Sequence, residues 1–191
     1  MNGKRIIQVV KTFDGALWAQ QQVSELIKLG WDVHVLTPRL KGRYQSAWLS
    51  TGATLHEIAC DFPVRAPWNL SSRAMKLREL ILQIEPVLIH SHFVSTTLML
   101  RYTLKDEDIP RLFQVPGPLH LDYPIFGQWE TFWANNQDFW IASSGYIRKK
   151  YTTKYGIKKE KVFLSYYGTD LSAFTGQSDG YLRKTLDLPE D

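Results

Sequence analysis

The chain has 191 residues, 44% hydrophobic and 22% charged, with a net charge of +4. This is ordinary globular composition, with length for one domain and a sizeable core, and it excludes a low-complexity chain. The mild positive charge admits an anionic ligand or surface but gives no reason to expect nucleic acid, and the single cysteine, Cys60, excludes an internal disulfide and reads as a plain core or loop thiol.

The first element is a buried strand. Ile6, Ile7, Val9 and Val10 form a β-branched run behind Lys4 and Arg5. That run is too short for a secretory signal, and no stretch is long enough to span a membrane, so a cytoplasmic protein is expected. A tight loop, Thr12 to Gly15, follows. Ala16 to Leu29 then reads as an amphipathic helix, with Ala19, Val23, Leu26 and Ile27 on one face and Gly30 as its C-cap glycine. Asp32 to Thr37 is the next strand. The unit is βαβ, and its crossover makes the sheet parallel.

Residues 38–52 read as a loop carrying Arg39, Lys41 and Arg43, and Ala53 to Ala59 as a third strand. Residues 60–70, with Pro63 and Pro67, are expected to be irregular. Ser71 to Ile84 is a helix, capped by Ser71 or Ser72 and closed by Pro86. Then come a strand over Val87 to Ser91, a helix over Phe93 to Leu104, and a strand over Arg111 to Val115 that stops at Pro116-Gly117-Pro118. Tyr123 to Asn136 is expected to be helical and Phe139 to Ala142 a strand. A helix capped by Ser143 or Ser144 runs through Tyr155 to Gly156, and Lys161 to Ser165 is the last strand. The polar tail holds a short helix near Tyr181 to Thr185. The alternation predicts an α/β fold: a doubly wound, mostly parallel sheet with helices on both faces, Rossmann-like.

Five features carry chemistry. The loop at residues 12–15 lies at the carboxyl end of the first strand, where open α/β sheets bind ligands, with a helix N-terminus behind it to meet an anion. It lacks the dinucleotide glycine pattern, which argues against a nicotinamide or flavin enzyme. His90 and His92 alternate on a strand, so their imidazoles share a face. A metal would need a third ligand that the neighbouring sequence does not offer; a substrate-facing imidazole and a satisfied core histidine remain as alternatives. Gln114 to His120 lands on the same rim, either as a rigid connector or as a source of polar groups from His120 and Asp122. Phe126, Trp129 and Trp133 fall on one helical face, for core packing first and an acceptor groove or lipid-facing surface second. Arg148, Lys149, Lys150, Lys154, Lys158, Lys159 and Lys161 form a basic set, a solvated face or one attracted to anionic lipid.

In order and spacing these motifs resemble the N-terminal domain of family 4 glycosyltransferases, enzymes of the two-Rossmann-domain GT-B architecture. Asp14-Gly15 through Gly30-Trp31-Asp32-Val33-His34-Val35 is similar to the family's Gly-Gly loop followed by "rGHeV". Pro86 to His92 looks like "pDvvHaH", Phe139 to Ser144 like "viavS", and Val162 to Asp170 with Phe174 like "vipNGvD...F". The departures are Asp14 for the first loop glycine, Val87 for the aspartate, Tyr167 for the asparagine, and Pro116 where the family often has a histidine. The last leaves His120 as the candidate to take that histidine's place.

The resemblance implies a retaining glycosyltransferase that moves a sugar from a nucleotide diphosphate sugar to a glycan, lipid or small-molecule acceptor. It implies no metal and no cofactor beyond the nucleotide-sugar donor. Asp14, Gly15 and Ala16 would face the donor diphosphate. His92 and His120 would be catalytic, and His90, Gly117 and Arg39 would lie on the acceptor side, Arg39 and Arg43 meeting an anionic acceptor. Gly168 and Asp170 would shape the last loop. Residues 1–175 are expected to be the acceptor-binding domain and 176–191 the start of an interdomain linker. The donor-binding domain is absent from this chain, which by itself should not catalyse. Peripheral contact with the inner face of a membrane is a further expectation, and the alternative function is a non-catalytic nucleotide- or membrane-surface-binding module.

Overall fold

The computed structural model describes residues 4–114, 124–168 and 184–187. Its strands are β1 (Arg5–Val9), β2 (Asp32–Thr37), β3 (Thr54–Glu57), β4 (Leu88–Ser91), β5 (Arg111–Gln114), β6 (Asp138–Ala142) and β7 (Val162–Leu164). Its α-helices are α1 (Leu17–Lys28), α2 (Gln45–Leu49), α3 (Leu70–Ile84), α4 (Val94–Thr103), α5 (Pro124–Trp129) and α6 (Gly145–Thr153). The strands form one sheet in the order β3-β2-β1-β4-β5-β6-β7, and every neighbouring pair is parallel. The order reverses between β1 and β4, which opens a crevice at the carboxyl ends of those strands.

The period of two decides the packing. Ile7, Val9, Leu36 and Ile89 face α3 and α4 and meet Leu77, Ile81, Met99 and Leu100. Further along this face, Phe113, Trp140, Ala142 and Val162 pack on Ile147 and Tyr151 of α6. On the opposite face Val10, Val33 and Val35 pack on Ala19 and Val23 of α1 and on Trp48 of α2. Over β5 to β7 no described helix covers that second face: Leu112, Phe139 and Ile141 are half-buried and Phe163 is exposed.

Local signals act as the residues dictate. Gly30 adopts φ +84°, its N–H donates to the Ile27 carbonyl and that of Trp31 to Leu26, so a paired C-cap ends α1. The Ser144 side chain accepts from the Ile147 N–H at 3.2 Å and caps α6.

Three expectations are corrected. Residues 38–52 are not all loop, because Trp48 stacks on Phe13, centroids 4.7 Å apart, and draws Gln45–Leu49 into a helical turn. Helix α3 starts at Leu70 with Asn69 as its N-cap and no side-chain cap; the Ser72 hydroxyl instead donates to the Asn69 carbonyl, and Ser71 lies 3.3 Å from the Tyr102 hydroxyl. Helix α5 ends at Trp129 rather than continuing to Asn136. The Arg101 guanidinium explains the stop, since it donates to the carbonyls of Trp129, Glu130 and Phe132 and turns the chain there. Trp133 therefore leaves the helical face assigned to it and takes φ +58°. Val115, Pro116, Gly117, His120 and Asp122 lie outside the described residues, as do Asp170 and most of the helix expected at Tyr181 to Thr185.

Candidate active site on the carboxyl rim

The β1–α1 loop is built by its neighbours. Asp14 accepts from the Arg43 N–H at 2.9 Å, its own N–H donates to the Thr12 hydroxyl, and the Tyr44 N–H donates to the Phe13 carbonyl. The Asp14 carboxylate thus ties two rim loops together. The residue with positive φ is Ala16, at 61°, not Gly15. Ala16 is the N-cap of α1 and supplies no side-chain acceptor to the helix. No atom lies within 4 Å of where a Cβ on Gly15 would stand, so the backbone there is open to approach.

Gly42 is the opposite case. A Cβ on it would sit 2.6 Å from the Phe13 carbonyl carbon and 2.9 Å from the Asp14 nitrogen. Gly42→Ala is expected to displace the β1–α1 loop and to cost about 1–3 kcal/mol in a denaturant titration. A neutral outcome would show that the two loops are not locked.

One cavity flanks this loop, and a second lies along α1. The smaller, about 480 Å³, is lined by Lys11, Thr12, Asp14, Arg39, Lys41 and Asp61. Arg39 therefore lies on the rim beside Asp14, in a mixed-charge pocket. The larger is a cleft of about 1050 Å³ between α1 and the segment after β7. Its lining includes the neutral polar groups of Gln8, Trp18, Gln22, His90, Gln114 and Tyr167 and, on α1, the Glu25–Lys28 ion pair. Register explains their convergence: Gln8 of β1 is paired with His90 of β4, and both point to the α1 side.

His90 and His92 do share a face, with ring centroids 4.2 Å apart. His92 is completely buried, and its Nε2 lies 2.7 Å from the Gln8 amide oxygen. That contact requires Nε2 to carry the proton. Burial holds the His90 imidazole down to about 4, opposed by the nearby Gln114 amide, and holds His92 well below the usual histidine range, with His90 acting in the same direction. Both rings are neutral at pH 7. Among the described residues no group of three or more His, Cys, Asp or Glu is placed to hold a metal ion.

Gln22 donates to the Gln114 amide oxygen at 3.0 Å. Among the described residues, Trp18 Nε1, Gln22 Oε1 and His90 Nε2 of the cleft's lining are buried without a hydrogen-bond partner. Together they offer a donor, an acceptor and a group of either kind. Such atoms are costly to leave unpaired, at about 1–3 kcal/mol each. Sequence reasoning missed Gln8, Trp18 and Gln22, and named Gln114 only as the start of a segment landing on this rim. The available signal was a lone glutamine inside an apolar strand, Ile6-Ile7-Gln8-Val9-Val10.

Elsewhere, Cys60 is buried and burial pushes its thiol up, as an inert core thiol requires. The basic set lies on and after α6, where Lys150 stands over the Tyr146 ring at 4.7 Å. No helix among the described residues is long and apolar enough to cross a membrane.

The all-parallel sheet with a cleft at its switch point is a Rossmann-like α/β fold. The family profile described as Glycosyltransferase Family 4 matches residues 17–173, and the chain belongs to that family. It is similar in structure to a glycosyltransferase from Rickettsia africae, with TM-score 0.75 and 15% identity over 100% of this chain and 51% of that one. It is also similar to Anabaena HepE solved with UDP-glucose, with TM-score 0.72 and 15% identity over 96% of this chain and 50% of that one. A third neighbour is the sucrose-phosphate synthase of Thermosynechococcus elongatus, with TM-score 0.69 and 14% identity over 98% and 53%. The chain spans about half the length of these solved structures. No curated relative matches it at the level of sequence.

Proposed function

We propose that this chain is the acceptor-binding half of a retaining glycosyltransferase. The full enzyme moves a sugar, of hexosyl type, from a nucleotide diphosphate sugar to a glycan, lipid-linked or small-molecule acceptor. It works in the cytoplasm, with a second Rossmann-like half holding the donor. The observation that carries this reading is the set of polar atoms on Trp18, Gln22 and His90 without a partner among the described residues, in a cleft whose two charged lining residues, Glu25 and Lys28, pair with each other. Sugar hydroxyls both donate and accept, so they match neutral amides and imidazoles. HepE, a neighbour in fold, was solved with UDP-glucose, which supports a nucleotide-sugar donor.

The roles follow from position. The open backbone at Gly15 and the first turn of α1 meet the donor diphosphate, and their N–H groups stabilise the leaving group. Asp14 and Ala16 hold that loop in shape. His90 hydrogen-bonds the acceptor as a neutral imidazole, and His92 keeps it in place through ring contact and through Gln8. Arg39 meets an acidic group on the acceptor. By the family resemblance, His120 would act in catalysis and Gly117 would belong to the acceptor side.

Gly15→Leu in the full-length protein separates site from scaffold, because nothing crowds that position. Turnover is expected to fall by roughly a hundredfold or more with the unfolding midpoint unchanged. Unchanged turnover would remove the β1–α1 loop from the donor site.

A further inference from the structure

Gln114 ends β5, 2% exposed, on the same side of the sheet as His90. Its amide meets three other elements. The oxygen accepts from Gln22 Nε2 of α1 at 3.0 Å. The same amide meets the imidazole of His90 on β4 and the hydroxyl of Tyr167 after β7. Tyr167 stands where the family pattern has an asparagine, so this junction is particular to this chain.

Donor and acceptor capacities fix the direction of each contact. Burial lowers the His90 imidazole and the Gln114 bond opposes it, so the imidazole donates to the amide oxygen. Burial raises the Tyr167 hydroxyl and Gln114 again opposes it, so the amide nitrogen donates to the phenol oxygen. A single amide satisfies all of this. Its oxygen has two lone pairs, for Gln22 and His90, and its nitrogen has a hydrogen for Tyr167. His90 Nε2 has no partner among the described residues, so the donating nitrogen is Nδ1 and Nε2 offers a lone pair to the cleft. Tyr167, 46% exposed, accepts through its oxygen and keeps its own proton to donate. The cleft therefore presents two donors, Trp18 Nε1 and the Tyr167 hydroxyl, and two acceptors, Gln22 Oε1 and His90 Nε2. Two sugar hydroxyls, each donating once and accepting once, match that set. An ionised phosphate offers acceptors alone and would leave Gln22 Oε1 and His90 Nε2 unpaired.

We propose that Gln114 is the positioning residue of this cleft: it holds the His90 proton on Nδ1 and turns the Tyr167 proton outward, so that Nε2 of His90 accepts from a hydroxyl of the acceptor sugar. The proposal rests on the reading of the cleft as the acceptor site, but its first test needs no turnover. Long-range proton–nitrogen spectra of the isotope-labelled chain, at about pH 8 to keep the imidazoles neutral, distinguish a protonated ring nitrogen from a bare one. The His90 signals are identified by their loss in His90→Gln. Wild type is expected to carry the proton on Nδ1. Gln114→Met, which keeps the shape and removes the amide, should lose that signature and move the proton to Nε2. Gln114→Glu, which keeps an acceptor oxygen, should retain it. In the full-length protein Gln114→Met is expected to raise the acceptor KM about tenfold or more and to leave the donor KM unchanged. A wild-type proton on Nε2, a Gln114→Met variant with the wild-type signature, or an effect on the donor KM alone would overturn the assignment. The wild-type spectrum decides the tautomer whether or not the variants fold. The expected spectra in a protein that transfers no sugar would count against the acceptor reading and not against the tautomer.

Discussion

Asp138→Ala is expected to lower the unfolding free energy by about 3–5 kcal/mol in a urea titration. Asp138 opens β6 with its side chain 2% exposed, between Arg101 at 0% and Arg111 at 4%. Arg111 grips both carboxylate oxygens, at 3.2 and 3.0 Å, and Arg101 donates to Oδ1 at 3.1 Å. The carboxylate also accepts the Asn135 N–H at 2.8 Å. Removing it strands two buried guanidiniums, and an unpaired buried charge costs more than the lost pair. The damage would spread, because Arg101 also fixes the end of α5 through the Trp129, Glu130 and Phe132 carbonyls. Asp138→Asn keeps the shape and one acceptor and should cost less than alanine. A loss under about 1 kcal/mol for alanine would show the cluster to be solvated and unimportant.

Acidification is expected to remove about 3 kcal/mol of stability through His90 alone. An unfolded histidine titrates at 6.5, whereas burial holds the folded His90 at about 4. Below pH 6.5 the unfolded chain takes up a proton that the folded chain refuses. The contribution is therefore complete above about 6.5 and is lost as pH falls towards 4. His92 is shifted the same way, and so is His56, whose ring stacks on His34 with Nε2 2.9 Å from the His34 Nδ1. Urea titrations across this range should show stability falling with pH. His90→Gln, which cannot titrate, should flatten the slope. Equal slopes for wild type and variant would contradict a buried, neutral His90.

Much of this fold is legible because its signals are local. The Ile6 to Val10 run, the glycine after α1 and the Ser144 cap each act within a few residues. The facing of His90 and His92 follows from the strand period alone. What escaped the sequence is set at a distance. Trp48 makes a helix of a proline- and glycine-bearing loop only because Phe13 is there to stack on. Trp129 ends α5 because of an arginine 28 positions earlier. The partners of Asp138 are 37 and 27 positions away. At the site, Asp14 and Gly15 could be picked out by their place after β1, whereas Gln8, conspicuous as a lone glutamine in an apolar strand, gains a role only from what the register sets beside it.

Sugar transfer is best measured with the full-length gene product and a panel of nucleotide diphosphate sugars. Transfer from one donor class is expected, with the anomeric configuration retained, read by nuclear magnetic resonance of the product. If the full-length protein neither binds nor turns over any nucleotide-sugar, the reading of the cleft as an acceptor site is wrong.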